Sequence, residues 1–397
     1  MSTLTPQAGR YIENLAAELG ISEARYEAAD RSYKSFGDWL HRPASTVLKY
    51  RPKVYVQGSF GLGTAIRPIN DAEDYDIDAV CEFEALSVGS QSQETLKKLL
   101  GAEVASYHKA QSMTKPVREG RRCWILDYAD GAQFHMDIVP SVSDSSRQEL
   151  IMKSAGFTPT WTQTAIAITD NERFNYQLVD SDWCRSNPKG YIRWFRGRMQ
   201  FDLRRSILAK AANAKVEDIP EYRVRTPLHS AIMILKRHRD LRFANEQKNR
   251  PISIILTTLA AHAYQGEDSI AQALLTILQD MDKYIQNNNG VYVIANPTNP
   301  MENFADKWTE FPQRGTAFFA WLRAARHDFA ELAGFSDAGR ILERAEASIG
   351  KSLADRAAQR GAAPRGGLLR GATAPTASAG LSFPNRQRVP TDPKGFA

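Results

Sequence analysis

With 397 residues, 43% of them hydrophobic and 10% aromatic, the chain is long enough for a sizeable core and two domains, and its composition is that of an ordinary globular protein. No apolar run approaches a bilayer span, the N-terminal residues lack a signal-peptide pattern, and Cys81, Cys123 and Cys184 are too scattered for a C-x-x-C motif. A membrane helix and a disulfide-stapled secreted domain are thereby excluded and a cytoplasmic location is expected, while the formal charge of +6 suits phosphate-rich partners, either nucleoside triphosphates or nucleic acid.

Residues 6 to 42 read as helical, with Ile12, Leu15, Ala16 and Leu19 spaced for one buried face. Gly20 interrupts them, and Ser22 with Glu23 starts a second segment that runs to Leu40. A β-rich run, Val54 to Val56, then breaks at Gly58-Ser59, with Gly61 and Gly63 close behind. Glycines there bring the backbone and its N–H groups up to a ligand, which suits a phosphate, and Ser59 adds a hydroxyl. A second β-like run carries Asp76 and Asp78. Alternation sends both carboxylates to one face, with Tyr75, Ile77 and Ala79 on the other. Asp74 shares the carboxylate face. Two like charges side by side call for a cation.

Residues 87 to 105 have helical periodicity, with a cap in 90 to 94. Arg122 to Tyr128 reads as a strand, Ala129-Asp130-Gly131 as a turn and Gln133 to Val139 as the return strand. On the return, Phe134, Met136 and Ile138 make an apolar face and His135 and Asp137 the opposite one. If this strand lies beside that of Asp76 and Asp78, the three carboxylates form one oxygen cluster. Such a cluster suits Mg²⁺ or Mn²⁺ held jointly with substrate phosphates.

Residues 141 to 147 read as a loop, 161 to 168 and 174 to 178 as strands, and Asn187 to Gly190 as a turn. The helix that follows carries Trp194, Phe195, Met199 and Leu203 on one side. Arg193, Arg196, Arg198, Arg204 and Arg205 lie along it, either as a solvated face or as a nucleic-acid groove. Leu228, Ala231, Ile232, Leu235 and His238 mark a core helix. Lys236 and Arg239 lie on another face of it, and Lys236 is also spaced i, i+4 from Asp240 for an ion pair. A second helix begins near Pro251, where Ser253 is placed to satisfy free N–H groups. An amphipathic helix is expected over 268 to 287, a strand over 290 to 295, a turn over 296 to 300, and a helix start within 302 to 308. Phe318, Trp321, Leu322 and Phe329 continue a core stripe. Beyond 357, Gly, Ala, Pro, Ser and Arg dominate, and 357 to 397 reads as a disordered tail.

The Gly-Ser turn, the D-x-D strand and a third Asp on a later strand resemble nucleotidyltransferases with a polymerase-β-like palm. Gln57-Gly-Ser-Phe-x-x-Gly-Thr64 and Tyr75-Asp-Ile-Asp78 sharpen the resemblance, as do Leu235-Lys-Arg-His-Arg-Asp240, Pro251-Ile-Ser-Ile254 and Glu302-Asn-Phe304. In this order they are similar to the bacterial cGAS/DncV-like nucleotidyltransferases, second-messenger synthases of anti-phage operons. The match runs from about residue 21 to about residue 350.

The resemblance implies an α+β fold: N-terminal helices (1–42) packed on a palm (43–200), a helical lobe (201–356) and a cleft between palm and lobe. Asp76, Asp78 and Asp137 would hold two divalent ions, and the motif from Gln57 through Gly58 and Ser59 to Thr64 would hold donor phosphates. Lys236 and Ser253 would contact the triphosphate from the helical side, and Asn303 a nucleotide. The implied reaction joins nucleoside triphosphates into a cyclic di- or trinucleotide with release of pyrophosphate. The alternatives are a nucleotidyltransferase acting on an RNA end or a small-molecule acceptor, and a non-catalytic nucleotide-binding protein of the same fold. In some operons of the family a ubiquitin-activating-like partner joins the synthase's C-terminus to a target. Pro393-Lys-Gly-Phe-Ala397 is sterically suited to such conjugation.

Overall fold

The computed structural model describes residues 4–69, 75–128, 134–199 and 225–362. The turn expected at 129–131, Asp74, Leu203, Arg204, Arg205 and the tail beyond 362 lie outside the described residues. So do residues 201–224, the start of the expected lobe.

The palm is one mixed sheet. Its strands are β1 (Pro52–Val56), β2 (Tyr75–Ser87), β3 (Arg118–Glu119), β4 (Trp124–Tyr128), β5 (Phe134–Ser143), β6 (Ile166–Ile168) and β7 (Cys184–Ser186). They run in the order β1-β2-β5-β4-β3, with β6 added to β5 and β7 to β6. The β2–β5 pair is parallel and the others are antiparallel. Period-two alternation decides the two faces. Ile77, Ala79, Cys81 and Phe83 of β2, with Met136 and Ile138 of β5, are fully buried. They pack against Leu96, Leu100 and Val104 of α4 (Gln93–Ala110) and Phe36 and Leu40 of α2 (Glu23–His41). The other face carries Asp76, Asp78 and Asp137 beside a small buried apolar cluster of Val80, Val139, Ile166 and Ile168.

Helix α1 (Pro6–Leu19) behaves differently from α2. The resemblance puts both N-terminal helices on the palm, but Ile12, Leu15 and Leu19 of α1 belong to the core of the helical lobe, with Leu228, Ile232 and Leu235. Its apolar stripe is matched by another helix bundle rather than by the sheet. The lobe is built round a helix (Pro227–Arg242) in which every residue from Leu228 to Arg239 is buried, as expected of a helix surrounded by others. Thr226 and His229 close a capping box at its start. The helix Ser253–Ala263, the helix Ile270–Asp280 and the 23-residue helix Pro312–Gly334 pack round it.

Several segments differ from expectation because tertiary contacts override local polarity. The polar stretch 141–147 is not a loop: β5 continues to Ser143, and a helix spans Ser145–Ser154. Residues 87 to 92 precede α4, whose cap is Ser92. Residues 174–178 form turns rather than a strand, and Phe174 is exposed. Asn187-Pro188-Lys189-Gly190 is the start of a helix (Pro188–Gly197), with Asn187 accepting from the Gly190 N–H. The amphipathic segment at 268–287 is helical only over Ile270–Asp280. Residues 295–303 form a short hairpin around the expected turn, and the next helix starts at Lys307, late within the expected 302–308. The lobe ends later than expected, because Lys351–Ala362 is a helix with Leu353, Ala354 and Ala357 buried. No helix among the described residues is long and apolar enough to cross a membrane.

Candidate active site

The register of β2 and β5 assembles the acidic centre. Asp78 lies directly beside Asp137, and Asp76 beside His135. His135 Nε2 stands 3.1 Å from Asp76 Oδ1 and 3.9 Å from Asp137 Oδ1. Burial and the neighbouring Asp137 and Asp76 push the Asp78 carboxyl up to about 6. Burial likewise raises Asp137, whose Oδ1 is enclosed without a hydrogen-bond partner. The Cys123 thiol beside Asp137 is pushed up to about 12, first by burial and then by that carboxylate.

The phosphate-loop candidate sits against this centre. Gln57 donates its backbone N–H to the Asp78 carbonyl at 2.8 Å, so β1 delivers the next residue onto the carboxylates. Gly58 takes φ +58°, and a Cβ there would stand 2.1 Å from Asp78 Oδ2. Only glycine fits this approach. Ser59 follows in a one-turn helix, Gly58–Gly61, and its carbonyl accepts from the Thr64 N–H.

The lobe faces this turn. A cleft of about 480 Å³ is lined by Ser59 and Asp76 from the palm and by Lys236, Arg239, Arg250 and Ser253 from the lobe. Lys236 does not pair with Asp240. Its Nζ donates to the Thr64 carbonyl (3.0 Å) and Oγ1 (3.1 Å), joining the lobe to the end of the phosphate loop. Burial lowers it to about 7. The candidate phosphate ligand Thr64 is fully buried beneath that ammonium. Ser253 does not cap its helix, since the N-cap is Ile252, and its Oγ instead accepts from Arg239 Nη1 at 2.9 Å. Asn303 spends its side chain on the backbone of Tyr292, Ile294 and Ala305.

Three carboxylates on adjacent strands, two of them raised by burial and by a neighbouring carboxylate, are a donor set suited to a hard divalent cation. Among the described residues, no three His, Cys, Asp or Glu side chains already converge as a closed metal cluster. A bound phosphate would have to complete the shell.

Residues 52–140 match the family model described as Cyclic GMP-AMP synthase DncV-like, nucleotidyltransferase domain. The chain is 26% identical to the c-di-GMP synthase of Roseivirga ehrenbergii over 338 residues, 83% of this chain and 81% of that protein. It is 27% identical to the cyclic dinucleotide synthase CdnG of Bradyrhizobium diazoefficiens over 323 residues, 77% of this chain and 71% of CdnG. The solved structure of the Bradyrhizobium CdnG in complex with GTP shares the fold at TM-score 0.67 and 22% identity, covering 90% of this chain and 100% of that one. Residues 52–140 thus carry a DncV-like nucleotidyltransferase domain, and most of the chain is similar to cyclic dinucleotide synthases.

In this nucleotidyltransferase Asp76, Asp78 and Asp137 lie on one face of two adjacent strands, and Ser59, Lys236 and Ser253 line one cleft with Asp76. Arg239 was legible only as a neighbour of Lys236, and its bonds to Ser253 and Asp240 have no sequence signal. The arginines of the helix Pro188–Gly197 do not act together. Arg198 Nε caps the carbonyl of Ala261, while Arg196 lines a separate cavity near His229.

Proposed function

We propose that the protein joins two GTP molecules into a cyclic dinucleotide, with Mg²⁺ or Mn²⁺, and that the product serves as a second messenger in defence against phage. One observation carries the chemistry: Asp78 lies register-to-register with Asp137, against a glycine turn that faces Lys236 and Ser253 across a cleft. The similarity to a c-di-GMP synthase and to a CdnG solved with GTP supports guanine as the base.

Asp76, Asp78 and Asp137 would hold the divalent ions, probed as two. When bound, such ions neutralise phosphate charge and lower the pKa of an attacking hydroxyl. The backbone at Gly58 and the Ser59 hydroxyl hold the donor's β- and γ-phosphates from the palm. Ser253 donates to them from the lobe, and Lys236 supplies positive charge behind the loop. The ribose hydroxyl of the second nucleotide forms a bond to the donor α-phosphorus, the α–β anhydride bond breaks, and pyrophosphate leaves in line. A second transfer within the same cleft closes the ring.

The test is incubation with labelled triphosphates, omitting one at a time, followed by phosphatase and chromatography. GTP alone should yield a phosphatase-resistant product, and chelation of divalent ions should stop it. Product that requires added RNA, or a labelled small-molecule acceptor, would overturn the reading in favour of another acceptor. The defence role is tested by phage challenge of cells carrying the wild-type or Asp78→Ala gene. Equal plaque numbers would remove it.

A further inference from the structure

One buried ion pair in the cleft wall, Arg239 with Asp240, has no part in the reading above. Arg239 is 5% exposed although it carries a full charge. Its Nε donates to Asp240 Oδ1 at 2.9 Å and its Nη2 lies 2.7 Å from the same oxygen. Its Nη1 reaches the opposite way, to the Pro251 carbonyl at 3.0 Å and to Ser253 Oγ at 2.9 Å. Asp240 is also approached by Arg250 Nη1 at 3.4 Å. Arg239, Asp240, Arg250 and Ser253 all line the same cleft as Ser59 and Asp76.

The chemistry of these contacts is directional. A guanidinium only donates, so Ser253 Oγ accepts from it and keeps its own hydrogen for another acceptor. The hydrogen bond from a cation also polarises that O–H and makes it a better donor to an anion. The second Nη1 contact fixes the Pro251 carbonyl, two residues before the helix of Ser253 begins, and so fixes the entry of that helix as well. Asp240 compensates the buried guanidinium, which would otherwise be costly to hold there.

We propose that Arg239 is a positioning residue that holds Ser253 as an obligate hydrogen-bond donor to the triphosphate, with Asp240 clamping Arg239 in place. This rests on the reading of the cleft as a triphosphate seat. With its Nε and Nη1 held by Asp240, Pro251 and Ser253, Arg239 acts on nucleotide in this proposal through Ser253 and the Pro251 carbonyl.

A double-mutant cycle tests this, read by calorimetric binding of inorganic tripolyphosphate to the full chain and by kcat and KM for GTP. Ser253→Ala is expected to weaken tripolyphosphate binding by about tenfold, the size of one hydrogen bond to a charged group. Arg239→Lys keeps the charge but loses the fork, and is expected to weaken binding to a similar extent. In the Ser253→Ala background, Arg239→Lys should add no more than about twofold. In each variant KM for GTP should rise more than kcat falls.

If Arg239→Lys does not fold, as judged by thermal unfolding, Asp240→Asn takes its place in the same cycle with the same expectation. Additive losses in the double variant would overturn the proposal, because Arg239 would then act on the anion directly. Unchanged binding in both single variants, or no tripolyphosphate binding by the wild type, would overturn it as well. Failure of the functional reading looks different: tripolyphosphate binds and the cycle is non-additive, but no nucleotides are joined.

Discussion

The two walls of the cleft are built on different principles. On the palm side, three carboxylates are placed by backbone register: β2 and β5 run parallel, Asp78 meets Asp137, and alternation aims both outward. Nothing but strand geometry is needed. On the lobe side, Lys236, Arg239 and Ser253 come from two helices and are fixed by polar contacts made after folding. Lys236 reaches Thr64, 172 residues away in sequence, and Arg239 reaches across to Ser253. On the palm the carboxylates range from Asp76, its side chain 67% exposed, to the less exposed Asp78, whereas in the lobe Lys236 is only 4% exposed. A register tolerates side-chain exchange without losing the strand, whereas a buried polar network ties each ligand to the fold.

That contrast is open to attack, and the largest effects belong on the palm. Asp78→Ala or Asp137→Ala should lower nucleotide joining by about a thousandfold or more, roughly 4 kcal/mol of barrier. The melting temperature should hold or rise, because each change relieves repulsion in a crowded acidic centre. A variant that unfolds instead would show that the carboxylates are structural.

Gly58→Ala should damage both activity and stability, since it adds a Cβ 2.1 Å from Asp78 Oδ2 at a positive φ. The backbone cost alone is about 1–2 kcal/mol. A stable and fully active alanine variant, seen by thermal melts and product assay together, would mean that the turn is elsewhere in the working enzyme.

Lys236→Met then sharpens the view of the lobe. Removing one charge-assisted contact should raise KM for GTP by roughly tenfold to a hundredfold. Two effects on stability oppose each other: a buried ammonium is removed, but the Thr64 oxygens lose their donor. The melting temperature should therefore stay within about 4 °C of the wild type. A large loss of stability with unchanged KM would make Lys236 a latch between lobe and palm and nothing more.

The smallest effect is a pH dependence seated in the lobe. Burial, with Arg225 next, lowers His229 from 6.5 to about 4. Its folded value lies below its unfolded one, so the unfolded chain binds the extra proton between them. The stability this group contributes is whole above 6.5 and is lost as pH falls through about 4. Glutamine at this third helical position can still complete the capping box with Thr226. His229→Gln should therefore melt with a weaker pH dependence between 6.5 and 4 than the wild type. Identical slopes would place the proton uptake on other groups.

Residue pattern alone located the palm's acidic centre. The D-x-D spacing, the Gly-Ser break and Asp137 on the polar side of an apolar strand are short-range signals, because a period of two is a property of any strand. The same holds for the core helix of the lobe, whose stripe from Leu228 to His238 survives as buried residues. Polarity misled over 141–147, read as a loop but divided between β5 and the helix Ser145–Ser154, while the resemblance misplaced α1, whose stripe joins the lobe instead of the palm.

Only the tertiary structure decided who holds whom across the cleft. The i, i+4 spacing proposed Asp240 as the partner of Lys236, yet Asp240 is taken by Arg239 and Lys236 by Thr64. Helix-start logic proposed Ser253 as a cap, yet its hydroxyl accepts from Arg239. In water an i, i+4 ion pair or a serine cap competes well, since its partners are already near. In a buried wall each donor must be satisfied by whatever acceptor packing brings to it, near or far in sequence, because leaving any of these groups unpaired costs more than the i, i+4 pair or the cap returns.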